Sequence, residues 1–188
     1  MATDRDDTSD DAPQSTSKRH ANAVDSEHGS AIGRAVTINR PADELFTYFR
    51  DFANLPTFME NVERIDILDD QRSHWVVKAP AGKTVEWDAR ITAEEQGKFI
   101  EWTSEPGADI ANGGRIEFKD AGARGTVVTA TIAYDPPGGV IGKIIAKMFQ
   151  REPGIQARRD LRRFKQLMET GEVATAAMNR AQFEKEAA

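Results

Sequence analysis

Two Glu-Trp pairs stand on neighbouring segments of the chain, Glu86-Trp87 and Glu101-Trp102. Two carboxylates held close together can exchange protons with a substrate as general acid and general base. Two tryptophans held close together instead offer a rigid apolar wall to a ligand. Successive residues of a strand point to opposite faces of a sheet, so the position of each pair on its strand decides which half of the pair matters.

The alternation of apolar and polar residues assigns the tryptophans to the inner face of a sheet and the carboxylates to the outer face. Trp87 shares its face with Val85 and Ile91, whereas Glu86 and Asp88 lie on the other side. The same alternation gives the inner face its other large residues, which are Trp75, Trp102, Phe118, Ile132 and Tyr134. Bulky rings beside small residues such as Gly114 predict a pocket, in which a ligand carbonyl could pair with an indole N–H.

The residues do not form a familiar catalytic arrangement. His20 and His28 belong to the N-terminal segment, and His74 alternates with Trp75, so it is expected to face solvent. There is no Cys, no HExxH motif and no phosphate-binding glycine loop. No catalytic or metal-binding residue is therefore predicted, although Tyr134 remains a candidate proton donor if the pocket does chemistry.

Composition is typical of one globular domain in a soluble, cytoplasmic protein. The 188 residues are 39% hydrophobic and carry a net charge of -6, which argues against general affinity for nucleic acid. No apolar run approaches the roughly 20 residues of a membrane-spanning helix, and the N-terminus lacks the features of a secretory signal.

Three regions are predicted. Residues 1–30 hold seven acids against three bases and few apolar side chains, which predicts a disordered acidic tail. Residues 31–171 contain the domain, and residues 172–188 form a second tail or a frayed helix. Within the domain, the periodicity predicts one strand, two short helices, six strands and a long terminal helix. The strand connections are too short for parallel crossovers, so an α+β fold with an antiparallel sheet is expected.

The segments VTINRPADELFTYFRDFANLPTFMENVERI, EWDARI, IEWTS, PPGG and DLRRFKQLMETGE occur in this order. They resemble the SRPBCC (START-like) superfamily, and within it the polyketide cyclase/dehydrase and coenzyme-Q-binding branch. The resemblance implies a helix-grip fold, in which a curved seven-stranded antiparallel sheet wraps around a long C-terminal helix. It also implies two short helices between the first and second strands.

The resemblance further implies a hydrophobic cavity between the sheet and the C-terminal helix. To the residues of the inner face it adds Phe58 and Met59 near the mouth, and Met148, Leu161 and Phe164 from the helix side. The function expected from it is noncatalytic binding of a lipid, a quinone or a polyketide-like molecule, with no other cofactor. A cyclase or dehydratase acting on a polyketide-like substrate is the alternative within the same family.

A basic cluster on the terminal helix allows a third interpretation. Arg158, Arg159, Arg162 and Arg163 could contact a protein partner, a membrane surface or RNA. They could equally form a solvated helix side whose long stems cover the rim of the sheet.

Overall fold

The computed structural model describes residues 30–79, 82–108, 110–135 and 153–173, with the side chains of all of these except residues 30–32, 134, 135 and 153–155. Most of both predicted tails and the apolar segment 140–150 lie outside the described residues. The described strands β1 to β7 span Ser30–Ile38, Val62–Ile67, Arg72–Ala79, Lys83–Glu95, Phe99–Ser104, Ala111–Asp120 and Thr126–Asp135. The described helices are α1 (Ala42–Arg50), α2 (Pro153–Thr170) and the 3-10 helices Phe52–Thr57 and Gly122–Arg124.

The seven strands form one curled sheet in the order β1-β7-β6-β5-β4-β3-β2, and every neighbouring pair is antiparallel. Six strands follow one another as a meander, because their connections are too short for anything else. β1 closes the other edge by pairing with β7. The sheet curls around α2, and α1 and the Phe52–Thr57 helix are inserted between β1 and β2. The predicted helix-grip α+β fold is confirmed.

The helix α1 forms where its sequence predicts. Pro41 precedes its first residue, and Asp43 and Glu44 lie in the first turn, where negative charge is favourable. Its buried residues are Leu45, Phe46 and Phe49. Asp51 follows in extended conformation and accepts a hydrogen bond from the backbone N–H of Ala53, which begins the 3-10 helix.

The helix α2 buries one side against the sheet. Ala157, Leu161 and Phe164 recur at helical spacing and are buried, Phe164 completely. The helix stops at Gly171, which has a φ of 79° and donates its N–H to the carbonyl of Leu167. This is the left-handed ending that glycine makes easily.

The strand register confirms that one face of the sheet is aromatic and apolar. Trp75 lies opposite Trp87, and Trp102 lies opposite Ile91 on one side and Gly114 on the other. The core formed by this inner face, α1, the Phe52–Thr57 helix and α2 is rich in phenylalanine, with Phe46, Phe49, Phe52, Phe58, Phe118 and Phe164 all buried.

The outer face carries the charged residues of the same strands. Arg115 bonds Glu101 on the neighbouring strand (2.9 Å) and Glu117 two residues along its own strand (3.1 Å). Its guanidinium also lies 3.7 Å above the centre of the Phe99 ring. Glu101 therefore lies on the outer face of the sheet, as the alternation of residues predicted, and has a structural partner there.

Candidate functional site

The floor of the candidate site is a pair of stacked tryptophans. The rings of Trp75 and Trp87 lie 6.0 Å apart with their planes at 11°. Trp75 is buried, and its indole N–H donates to the hydroxyl of Ser73, which is also buried (2.9 Å). Ser73 therefore satisfies this indole N–H without a ligand carbonyl.

The position of the Trp102 ring explains why the neighbouring residue on β6 is a glycine, Gly114. A side chain at Gly114 would place its Cβ 2.4 Å from Cζ2 of Trp102, so the indole lies across the glycine. The absence of a side chain at position 114 therefore makes room for the ring of Trp102. Phe52 lies between the tryptophans, with its ring edge-on to Trp75 (5.7 Å) and to Trp102 (6.4 Å). Phe52 was not among the residues that the sequence analysis selected.

The accessible part of the inner face lies toward one end of the strands. Trp87, Trp102 and Ile132 are half-buried there, and Trp102, Gly114 and Ile132 form one row across β5, β6 and β7. Toward the other end, Phe118 and Val128 are opposite each other and buried. The part of the inner face that a ligand could contact is therefore near the start of β6 and the end of β7.

The other predicted ligand residues whose side chains are described are buried in the core, except Met59, which is half-buried. Phe58 and Phe164 are buried against each other with ring centres 4.8 Å apart, so Phe58 does not line an open mouth. Phe118 packs against Phe46 (5.8 Å), and Leu161 is buried in the same core. Met59 is half-buried at the edge of this core. Their assignment to ligand binding stays a prediction.

Two predicted ligand residues cannot be placed in this way. Tyr134 is at the end of β7, where its backbone pairs with Asn112, but its side chain is not among those described. Met148 lies outside the described residues.

Asp160 is a titratable residue that the sequence analysis did not select. It lies on the flank of α2 that faces the loop after the Phe52–Thr57 helix, and it accepts a hydrogen bond from the side-chain amide of Gln156 (2.9 Å). Burial raises the pKa of Asp160 to about 7, although Gln156, Arg163 and the backbone N–H of Glu60 all favour the charged form. Its spacing, three residues after buried Ala157, could have identified it.

A neighbouring ion pair fixes this flank of the helix. Arg163 bonds Glu60 at 2.9 Å and thereby joins α2 to the loop that leads into β2. Arg163 therefore differs from Arg158, Arg159 and Arg162, which are exposed. No carboxylate of the described residues forms an ion pair with these three arginines.

His74 lies on the outer face of the sheet. Its Nδ1 is 2.7 Å from Asp88, directly across on β4, and its Nε2 is 3.4 Å from Glu86. The hydrogen bond with Asp88 raises the pKa of His74 above its ordinary value, and partial burial opposes this. The side chain is half-buried, so it is a cross-strand link and not a fully solvated histidine.

A separate groove of about 450 Å³ opens on the surface near the start of α1. Its lining includes Arg40, Glu44, Asp120 and Thr126, and Arg40 donates to the backbone carbonyl of Glu169 (3.1 Å). None of the predicted ligand residues lines this groove, and its charged walls do not suit an apolar ligand. Within the described part of the chain, no group of three acidic or histidine side chains could hold a metal ion, and no helix is long and apolar enough to span a membrane.

The sheet topology and the C-terminal helix together define a domain of the helix-grip class. The chain matches the family model described as polyketide cyclase / dehydrase and lipid transport over residues 31–169, and it belongs to that family. The resemblance to the SRPBCC (START-like) superfamily is thereby confirmed.

Individual relatives agree with this assignment. A crystal structure from Deinococcus radiodurans, DR_A0006, is 42% identical and superposes with a TM-score of 0.63 over 76% of this chain and 99% of its own. An uncharacterized 17.2 kDa protein of Streptomyces lincolnensis is 28% identical over 74% of this chain and 90% of its own. The Zhui aromatase/cyclase of Streptomyces sp. R1128 has a TM-score of 0.61 over 78% of this chain and 100% of its own. At 14% identity, this last likeness shows the fold alone.

Proposed function

We propose that this protein binds an apolar small molecule between the inner face of the sheet and α2, and that it does not change the molecule chemically. A lipid, a quinone or a polyketide-like chain would suit the site. The observation that carries the proposal is the partial accessibility of Trp87 and Trp102 on a face whose other large residues are mostly buried. The family description, which includes lipid transport, supports it.

Two half-buried indoles suit such a ligand for physical reasons. Each offers a flat apolar surface that is already ordered by its neighbours, Trp87 by stacking on Trp75 and Trp102 by lying on Gly114. A rigid wall loses little entropy on binding, and an indole N–H can orient a polar head group. A quinone or a lipid with one polar end would use both properties.

Binding is tested by calorimetric titration of the purified protein with a short-chain quinone and, separately, with a fatty acid. We expect one of them to bind, and we expect Trp87→Ala and Trp102→Ala each to weaken binding by about tenfold or more, as truncation of a central aromatic contact does. Glu86→Ala is the matched control, because it removes the outward-facing neighbour of Trp87.

The control and the probes make the result decisive. Equal loss of affinity in Glu86→Ala would point to damage of β4 and not to a lost ligand contact. If neither probe binds and native mass spectrometry of the purified protein finds no apolar molecule, the proposal is wrong.

A cyclase or dehydratase is the second candidate function, and Asp160 favours it. A carboxyl with a pKa of about 7 can both accept and donate a proton near neutral pH, which is the property of a general acid or base. The test uses a reactive poly-β-ketone thioester. An enzyme would accelerate its cyclisation over buffer, and Asp160→Asn would lose the acceleration while still binding the probe. No acceleration by the native protein would leave binding as the function.

A further inference from the structure

The outer side of α2 carries a concentrated positive charge, the arginine face, formed by Arg158, Arg159 and Arg162. All three side chains are exposed. Residues three and four positions apart are neighbours on a helix, so Arg162 lies beside both of the others. Their mutual repulsion destabilises the helix unless an anionic group lies against them. The next two basic residues of α2 each have an ion-pair partner, because Arg163 bonds Glu60 and Lys165 bonds Glu169.

The chain contains a segment of opposite charge. Residues 1–29 hold seven acidic and three basic residues, so they account for four of the six net negative charges of the protein. Five of the acids are close together, at Asp4, Asp6, Asp7, Asp10 and Asp11. Such a segment has too little apolar surface to form a core of its own, but its charge complements the arginine face.

The geometry of β1 and α2 places the start of β1, which directly follows this segment in the sequence, toward the end of the molecule where α2 starts. Lys165 donates from Nζ to the carbonyl of Thr37, and the backbone N–H of Asn39 donates to the carboxylate of Glu169, both at 2.7 Å. The advance from Lys165 to Glu169, about 6 Å along the helix, therefore matches the advance from Thr37 to Asn39, about 7 Å along the strand. The helix and the strand run side by side in the same direction, so β1 starts, at Ser30, toward the end where α2 starts.

The distances allow the segment to fold back. Measured from the Lys165–Thr37 contact, the arginine face lies about 5 to 11 Å back along α2, and the start of β1 lies about 23 Å back along the strand. The face is thus about 12 to 18 Å from the start of β1 in this direction. Asp11 is 19 residues before Ser30, and random-coil statistics give a chain of that length an average span of about 24 Å. Attachment in one chain raises the effective concentration to the order of millimolar.

We propose that the acidic segment of residues 1–29 folds back onto the arginine face and covers it. The contact is electrostatic and reversible. It keeps the face from other anionic surfaces, such as phospholipid or RNA, until one of them displaces the segment. This inference does not depend on what the inner face of the sheet binds.

The absence of cysteine allows a direct test, because a single Ser9→Cys substitution gives one labelling site. A nitroxide attached there broadens the amide signals of nearby residues in NMR spectra of the full-length protein. At about 20 mM salt, where the Debye length is about 20 Å, we expect the amides of residues 156–163 to lose most of their intensity. At about 0.5 M salt, where that length is about 4 Å, we expect the intensity to return.

Two charge variants serve as controls. In labelled protein with Arg158, Arg159 and Arg162 all changed to Gln, the loss of intensity should disappear, whereas the same three changes to Lys should preserve it. All three side chains are exposed, so both variants should fold, and tryptophan fluorescence checks this.

Three results would overturn the proposal. One is broadening at low salt that survives in the Gln variant, and another is broadening centred on a different part of the surface. The third is no broadening at residues 156–163 at low salt. If the full-length protein then also showed arginine-dependent binding to phosphatidylglycerol vesicles or to RNA, the face would be assigned to an external partner.

Discussion

Replacing Asp160 by Asn should make the free energy of unfolding less sensitive to a rise in pH between about 4 and about 7. The ordinary pKa of this carboxyl is 3.8, and burial raises it to about 7 in the folded protein. The folded state therefore holds a proton that the unfolded state has already released between these two pH values. By linkage, stability is lost as pH rises through this window, because folding then requires either a proton or a buried charge.

The size of the effect follows from the two pKa values. Between about pH 5 and about pH 8, a carboxyl that titrates at 3.8 unfolded and near 7 folded removes about 2.5 kcal/mol from the free energy of unfolding. Asn has nearly the same shape, can still accept the hydrogen bond from Gln156, and cannot ionise. The advantage of Asp160→Asn over the native protein should therefore grow by about 2.5 kcal/mol, or about 5–10 °C in melting temperature, across this range.

Urea unfolding at both pH values, followed by tryptophan fluorescence, measures this difference. Comparing the two proteins at each pH cancels other titrations, including that of His74, which both retain. Glu63→Gln is the control, because it removes one negative charge from an exposed side chain on β2. We expect its curve to remain parallel to that of the native protein. If Asp160→Asn also gave a parallel curve, the carboxylate would be hydrated in the folded protein and the reasoning from burial would be refuted.

Three further predictions concern the sheet and the core. Asp88→Asn should lower the pKa of His74 toward its ordinary value, which NMR of the imidazole protons would follow. In the native protein, the stability that this pair provides is present below about pH 6.5 and is lost as pH rises through the folded-state pKa of His74. An unchanged titration would mean that Asp88 does not cause the shift. Gly114→Ala should displace the indole of Trp102, reduce stability by about 1–3 kcal/mol and change the near-ultraviolet circular dichroism, so an unaltered spectrum would contradict the close packing. Phe164→Ala should cost about 3–5 kcal/mol in urea unfolding, and a loss below about 1 kcal/mol would show that α2 is not part of the core.

The strands and their two faces could be predicted because the signal is local. Alternation with a period of two placed Trp75, Trp87 and Trp102 on the inner face, and the observed register agrees. The same signal placed Glu101 outside, where it bonds Arg115. These assignments needed no knowledge of distant residues.

The details of the site depend on contacts that periodicity does not encode. The orientation of the Trp102 ring over Gly114 is a matter of side-chain packing, and so is the insertion of Phe52 between two tryptophans. The environment of Asp160 depends on how α2 lies against the loop containing Glu60, about 100 residues away in the sequence. Burial of this kind is a property of the assembled fold, and a helical pattern alone identifies only the side on which it occurs.

The joining of β1 to β7 and to α2 also has a consequence for synthesis on the ribosome. The hydrogen bonds between Thr37 and Lys165 and between Asn39 and Glu169 link residues about 130 positions apart. β1 therefore has no strand to pair with until β7 has emerged from the exit tunnel. The core can close only after α2 has emerged as well. During translation, the nascent domain thus exposes its aromatic inner face until α2 has emerged, and this is the interval in which a chaperone would protect it.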